Sequence, residues 1–115
     1  DQYAYEALRL VDRLLVIRPD LDLYVLRIAA AAALNDHAIF VESGRYVAVY
    51  LEDKLQRTNN GAYNLSDAEL STILTRLNAF ETQLTLIAGS ERRGQEVRDA
   101  IRSLQRDYKV LQDER

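Results

Sequence analysis

The chain has 115 residues, of which 48% are hydrophobic and 29% charged, and a formal net charge of −3. This balance is typical of one globular domain over residues 1–115 and excludes a disordered chain. The slight acidic excess gives no overall field for nucleic acid, so we expect no nucleic-acid partner. Since the sequence has no cysteine, disulfides, thiolate chemistry and zinc–cysteine sites are also excluded.

Four glycines and one proline leave little material for the many tight turns of an all-β fold, so the composition predicts an all-α protein. No apolar run reaches the roughly 18 residues of a membrane span, and no basic-then-apolar leader opens the sequence. The chain also lacks methionine, even at position 1, from which we expect a processed product or an excised segment. A membrane contact is therefore expected only through segments outside this sequence, with an extracytoplasmic location favoured.

The first predicted helix covers residues 2–17 and has an apolar arc wide enough to pack against more than one neighbour. The positions at helical spacing are Ala4, Leu8, Val11 and Leu15. The positions that widen the arc are Leu10, Leu14 and Ile17. Pro19 ends this helix, because it lacks the amide that a helix interior needs but suits the first turn of the next helix.

A longer second helix is predicted from Pro19 to about Arg57, because no turn signal in this range is strong enough to stop it. One apolar stripe runs along it at alternating spacings of three and four residues. Its members are Leu23, Leu26, Ala30, Ala33, His37, Phe40, Gly44, Val47 and Leu51. The pattern favours one continuous helix, and Asn35-Asp36 and Ser43-Gly44 are its weak points, where any kink or break would fall.

The third helix has the most distinct start, after a loop at residues 58–64. Ser66 suits the cap, Glu69 closes a capping box, and Leu65 with Leu70 forms a hydrophobic staple. Its stripe comprises Leu70, Ile73, Leu77, Phe80, Leu84 and Ile87, and Ala88-Gly89-Ser90 predicts a glycine stop followed by a new cap. The fourth stripe comprises Val97, Ile101, Leu104, Tyr108 and Leu111. Together these segments predict an antiparallel bundle of about four helices, the second being the longest.

One candidate site lies on the second predicted helix, next to the alanine run at residues 29–33. Small side chains there favour either a close helix crossing or an apolar cavity whose floor is Ala30 and Ala33. His37 lies on the apolar stripe, so we expect it to face a neighbouring helix, as a core hydrogen-bonding group or as a ligand contact that responds to pH. The candidate ligand-binding residues are His37, Phe40, Val41, Arg45, Tyr46 and Tyr50.

No metal or cofactor is expected at this site. One histidine without cysteine would need carboxylate ligands, and no glutamate lies three residues before His37, as the bundle di-iron motif requires.

The last helix carries a basic line next to its apolar stripe. The residues of this line are Arg98, Arg102, Arg106 and Lys109. The line is either a solvated face or a surface for an acidic protein partner.

The sequence favours a binding protein over an enzyme. It contains no P-loop, no G-x-G-x-x-G, no G-x-S-x-G and no H-E-x-x-H, and it has a single histidine. The first functional hypothesis is a ligand-sensing bundle from a receptor or exported protein, by analogy at the level of the fold. The alternative is a domain for protein interaction or assembly, including dimerisation, and a small all-helical enzyme is the third.

Overall fold

The computed structural model describes residues 2–87 and 92–115, and it places them in five α-helices joined by short connections. The helices are α1 (Gln2–Ile17), α2 (Leu21–Ala33), α3 (His37–Asn59), α4 (Asp67–Ile87) and α5 (Arg92–Asp113). The all-α prediction is confirmed, and the described residues contain no strand. The prediction of about four helices is wrong, and the longest helix is α3, with 23 residues.

The extra helix arises because the segment predicted as one helix over residues 19–57 is divided at residues 34–36. Asn35 adopts a left-handed backbone with a φ of 53°. Its N–H donates to the Ala32 carbonyl and the Asp36 N–H donates to the Ala31 carbonyl, each at 3.0 Å, which is the Schellman pattern of a helix end. Asp36 then caps α3, since its Oδ1 accepts the Ile39 N–H at 3.0 Å. The expected weak point at Asn35-Asp36 is therefore a complete break.

The chain divides into two compact units, Asp1–Tyr50 and Leu51–Arg115. In the first unit α1 and α2 pack against each other. Helix α1 ends before Pro19 as predicted, but Pro19 lies in the connection and not in the first turn of α2, because Asp20 caps α2 by accepting the Asp22 N–H at 2.8 Å. The core residues of this unit are Ala4, Leu8, Val11, Ile28, Ala30, Ala31, Phe40, Val41, Val47 and Ala48. The single domain expected over residues 1–115 stays a prediction.

The second unit contains the end of α3 together with α4 and α5. The predicted start of α4 is confirmed, because Ser66 Oγ accepts the Glu69 N–H at 3.1 Å. Leu65 and Leu70 of the predicted staple are both 1% exposed. The predicted stripes are also buried, at Ile73, Leu77, Phe80 and Leu84 on α4 and at Val97, Ile101, Leu104 and Tyr108 on α5. The glycine stop predicted at residues 88–90 lies outside the described residues.

Helices α4 and α5 are antiparallel, as their side-chain pairs show. Arg102 contacts Glu81 and Gln105 contacts Asn78, so the residue number rises along one helix as it falls along the other. The Tyr108 hydroxyl also donates to the Leu51 carbonyl at 2.6 Å, which ties α5 to the end of α3. These three contacts fix how α4 is aligned with α5, and how α5 is aligned with the end of α3.

Candidate functional site

The residues predicted to bind a small ligand do not share one environment. His37 is the first residue of α3 and is exposed, so the prediction that it faces a neighbouring helix is wrong. The reason is the break before it, which ends the stripe that Ala30 and Ala33 were expected to continue. Phe40 and Val41 instead lie in the core of the first unit, at 0% and 5% exposure.

The alanine run serves packing on one side of α2. Ala31 is completely buried and Ala30 is 6% exposed, as the close-packing alternative requires. Ala33 is exposed, so it cannot form the floor of the predicted cavity, and that part of the prediction is wrong. The buried face of α2 is thus rotated from the predicted stripe, and Leu26 on that stripe is 54% exposed.

Tyr46 and Tyr50 are brought together by a third tyrosine that the sequence pattern did not indicate. The ring of Tyr24 lies 6.2 Å from that of Tyr46 and 5.8 Å from that of Tyr50, measured between centroids. Burial, with added contributions from Tyr50 and Tyr46, raises the pKa of Tyr24 above its ordinary value. Arg45 points to solvent next to this group. Tyr24 of α2 thus packs with Tyr46 and Tyr50 of α3 in a partly exposed aromatic contact between the two helices.

A buried arginine lies next to these rings and ties three helices together. Arg27 of α2 is 8% exposed. Its guanidinium donates to Asp12 of α1 at 2.8 Å, and to Ser43 and Glu42 of α3 at 2.7 Å each. It also lies 5.4 Å from the centroid of the Tyr46 ring. Sequence reasoning missed this group, although Arg27 is the only cation between Leu21 and Leu34.

The charge of Arg27 is retained despite its burial. Burial alone would lower the pKa of the guanidinium, but the hydrogen bonds that it donates to Asp12 and Glu42, together with their negative charges, outweigh that effect and raise the pKa above its ordinary value. The Ser43 hydroxyl, itself fully buried, donates onward to the Ile39 carbonyl at 2.6 Å. No buried side-chain polar atom of Arg27 or Ser43 lacks a hydrogen-bond partner, and the network links three helices.

A second polar group closes the connection between α3 and α4. Lys54 Nζ lies 2.8 Å from Glu69 Oε2, and the Tyr63 hydroxyl donates to the same carboxylate at 2.7 Å. Burial alone would raise the pKa of Glu69, but the hydrogen bonds from Lys54 and Tyr63 hold it below its ordinary value. The predicted capping box is only half formed, because the Glu69 carboxylate binds these side chains.

The basic line on α5 is divided among different environments. Arg102 Nε lies 2.7 Å from Glu81, and Lys109 lies 3.4 Å from Asp113. Arg106 and Lys109 line an open groove of about 640 Å³ along α4 and α5, whose other lining residues are mostly polar. Arg98 is half-buried, and its Nε has no hydrogen-bond partner among the described residues. A role for this line in partner binding stays a prediction.

The most distinctive surface is a second apolar stripe on α1, which we name the outer stripe. It consists of Ala7, Leu10, Leu14 and Ile17 at spacings of three, four and three residues. All four are exposed, with Leu10 at 56%, Leu14 at 39% and Ile17 at 81%. The outer stripe lies about 110° around the helix from the stripe that faces the core. The wide arc predicted from the sequence is therefore present, but the first unit covers only one side of it.

No group of three or more histidine or carboxylate side chains within residues 2–87 and 92–115 is arranged to hold a metal ion. No helix in these ranges combines the length and apolar character that a membrane crossing requires.

The fold places the chain among all-α proteins, and the outer stripe of α1 is exposed. Comparisons with protein-family models, with curated proteins and with solved structures gave no match.

Proposed function

We propose that the protein is a non-enzymatic module for protein interaction or assembly, and that its contact surface is the outer stripe of α1. The observation that carries this proposal is the exposure of Leu10, Leu14 and Ile17 on a helix whose other apolar stripe is buried. Single exposed apolar side chains are common on folded proteins. A line of them at spacings of three and four is typical of a seam between two helices, and contiguous exposed patches mark interaction sites.

The size of the stripe suits a reversible contact. Covering the exposed parts of Leu10, Leu14 and Ile17 contributes about 3 to 5 kcal/mol, at roughly 1.5 to 3 kcal/mol for each fully buried side chain. The partner's own apolar surface adds a similar amount. Association itself costs at least about 4 kcal/mol, so the net affinity falls in the range of transient complexes.

The other functional hypotheses have less support from the geometry. A ligand-sensing bundle from a receptor or exported protein stays a prediction, because its six candidate residues are divided between the core and the surface. A small all-helical enzyme is supported by no arrangement of catalytic groups that we can name among the described residues.

Site-specific photo-crosslinking in the host cell tests the proposal. A photoreactive phenylalanine analogue replaces Leu10 in one variant and Val16 in another. Val16 is the matched control, because it lies on the same helix and is 87% exposed but is not part of the outer stripe. We expect a discrete adduct from position 10 that disappears when Leu14→Glu is added, and none from position 16.

Two outcomes contradict the proposal. One is the lack of any discrete adduct from position 10. The other is the same set of adducts from positions 10 and 16, which would indicate only nonspecific contact with exposed apolar side chains.

A further inference from the structure

We infer that the partner of the outer stripe is a second copy of this chain, and that the two α1 helices pair antiparallel through a two-fold axis. The inference rests on the proposed function and names the partner. It follows from the charged residues that border the outer stripe, because these residues decide which helix orientation is tolerated.

Glu6 and Arg13 border the outer stripe on the side away from α2. They are seven residues apart, both are exposed, and each directly precedes a stripe residue, Ala7 or Leu14. Seven residues span about 10 Å of helix, too far for an ion pair within one copy. Glu6 accepts a 3.3 Å hydrogen bond from Gln2 within its own helix, and it is exposed to solvent.

A parallel pairing of two outer stripes brings like charges together. In a parallel seam, the residue that directly precedes Ala7 or Leu14 in one copy lies across from the residue five positions further along the chain of the other copy. Arg13 of one copy would then lie across from Arg18 of the other, at both sides of the seam. Since repulsion of this kind sets orientation in helix pairs, a parallel dimer is disfavoured.

Antiparallel pairing has two registers that align the stripes. In one of them Arg13 lies across from Arg13 of the second copy, which again places like charges together. In the other, Glu6 of each copy lies across from Arg13 of the other, and the two-fold axis makes this ion pair twice. The same register places Leu10 across from Ala7, and Leu14 across from Tyr3, which lies four residues before Ala7 and is 82% exposed, while Ile17 stays outside the seam.

The structure thus supports one orientation and one register for a second copy. Surface ion pairs contribute little to affinity in general. They select the helix orientation when the apolar seam is compatible with several orientations. The seam is short, so we expect a reversible dimer whose population depends on protein concentration.

Sedimentation equilibrium from about 1 µM to 1 mM tests whether the dimer forms. We expect a monomer–dimer equilibrium for the natural chain. Leu10→Glu should weaken the dimer by at least about 100-fold, because it buries a charge in the seam. Val16→Glu, the matched control, should leave the dissociation constant within about threefold. A monomer at every concentration, or equal weakening by the two substitutions, overturns the inference.

Charge reversal tests the register. Glu6→Arg and Arg13→Glu should each weaken the dimer by about tenfold, since each converts two attractive pairs into repulsive ones. The double reversal should restore the natural affinity. Far-UV circular dichroism checks that each variant stays helical, which we expect because these positions are exposed. Failure of the double reversal to rescue the dimer overturns the proposed register.

Disulfide trapping gives an independent measure of orientation, and the natural lack of cysteine makes it simple. A mixture of the Glu6→Cys and Arg13→Cys variants should form a mixed disulfide dimer. Ile17→Cys should not cross-link to itself, because antiparallel pairing in this register separates the two positions by about 25 Å. Self-linking through Ile17→Cys would indicate a parallel pair and overturn the inference.

These experiments separate the inference from the proposed function. If the chain is monomeric but the photoreactive residue at position 10 captures a different protein, then the second copy is wrong and the interaction surface stands. If neither assay detects contact through the outer stripe, both are wrong.

Discussion

The Arg27 network should be the largest single polar contribution to the stability of the first unit. Arg27→Met keeps the apolar stem but removes the guanidinium, which is 8% exposed and donates to three side chains. Buried hydrogen bonds to charged groups contribute about 1.5 to 3 kcal/mol each. The Asp12 and Glu42 side chains are 50% and 49% exposed, so water hydrates them after the change and their bonds count for about 1 kcal/mol each.

The bond to Ser43 contributes about another 1 kcal/mol, and the contact with the Tyr46 ring about 0.5 kcal/mol. We therefore predict that Arg27→Met lowers the free energy of unfolding by about 3.5 kcal/mol. Urea unfolding at pH 7, followed by far-UV circular dichroism, measures this as a midpoint lower by roughly 2 M, for a slope of about 1.5 kcal/mol/M.

Arg45→Met is the matched control, because Arg45 is an exposed arginine of the same unit. It should change the free energy of unfolding by no more than about 0.5 kcal/mol. If Arg27→Met also stays within that limit, the reasoning is refuted. The cost of desolvating the guanidinium would then cancel all that its hydrogen bonds contribute, as happens in some buried ion pairs.

Three further substitutions test the second unit and the break between α2 and α3. Glu69→Gln should lower the free energy of unfolding by about 1 to 2 kcal/mol at pH 7, because it weakens the bonds to Lys54 and Tyr63. The fold lowers the pKa of Glu69, so the stability that its charge contributes is complete above the unfolded pKa of roughly 4.3. This contribution is lost as the pH falls through the folded pKa. The difference in unfolding free energy between Glu69→Gln and the natural chain should therefore shrink in acid. Tyr108→Phe should cost about 1 kcal/mol in the same urea assay, because it removes the buried bond to the Leu51 carbonyl. Asn35→Gly should be neutral or stabilise by up to about 1 kcal/mol, whereas Asn35→Val should destabilise by about 1 to 2 kcal/mol, because the backbone there is left-handed.

Each of these three predictions has a clear contrary result. A Glu69→Gln difference that grows toward pH 3 would mean that the carboxylate is more stable as the neutral acid in the folded chain. A Tyr108→Phe variant as stable as the natural chain would show that the hydroxyl is equally well solvated when unfolded. An Asn35→Val variant as stable as Asn35→Gly would show that residue 35 is not held at positive φ.

The elements that local chemistry determines were predictable from the sequence. The start of α4 followed from Ser66 and its flanking leucines, and Pro19 marked the connection between α1 and α2. The buried stripes of α4 and α5 followed from regular spacing, because each of these helices presents one continuous face to one core. In such segments the residues that favour the local structure are also the residues that the surrounding core requires.

The break at residues 34–36 was harder to predict, because nothing in the apolar pattern marks it. The spacing from Ala30 to Phe40 continues through it unchanged, and alanine is the best helix former. The helix ends on asparagine instead of glycine, which weakens the usual stop signal. The predicted buried face of α2 and the predicted environment of His37 were both wrong because of this break.

The Arg27 network could not have been read from spacing along one helix, since its members come from three helices. An arginine in an alanine-rich helix resembles a surface residue until the partners on the neighbouring helices are known. The outer stripe of α1 was visible as a wide arc, but only the packing of α2 shows which part of that arc is covered.

The same network also places a constraint on how this sequence can vary. Asp12, Arg27 and Glu42 are separated by 15 residues each, and Ser43 follows directly. Losing both carboxylates would leave the buried Arg27 charge unpaired, whereas replacing all of the members together with apolar residues is often neutral. Homologous chains should therefore keep this evenly spaced set whole or lose it whole, and the pattern of Asp, Arg and Glu-Ser at that interval can serve as a signature for recognising them.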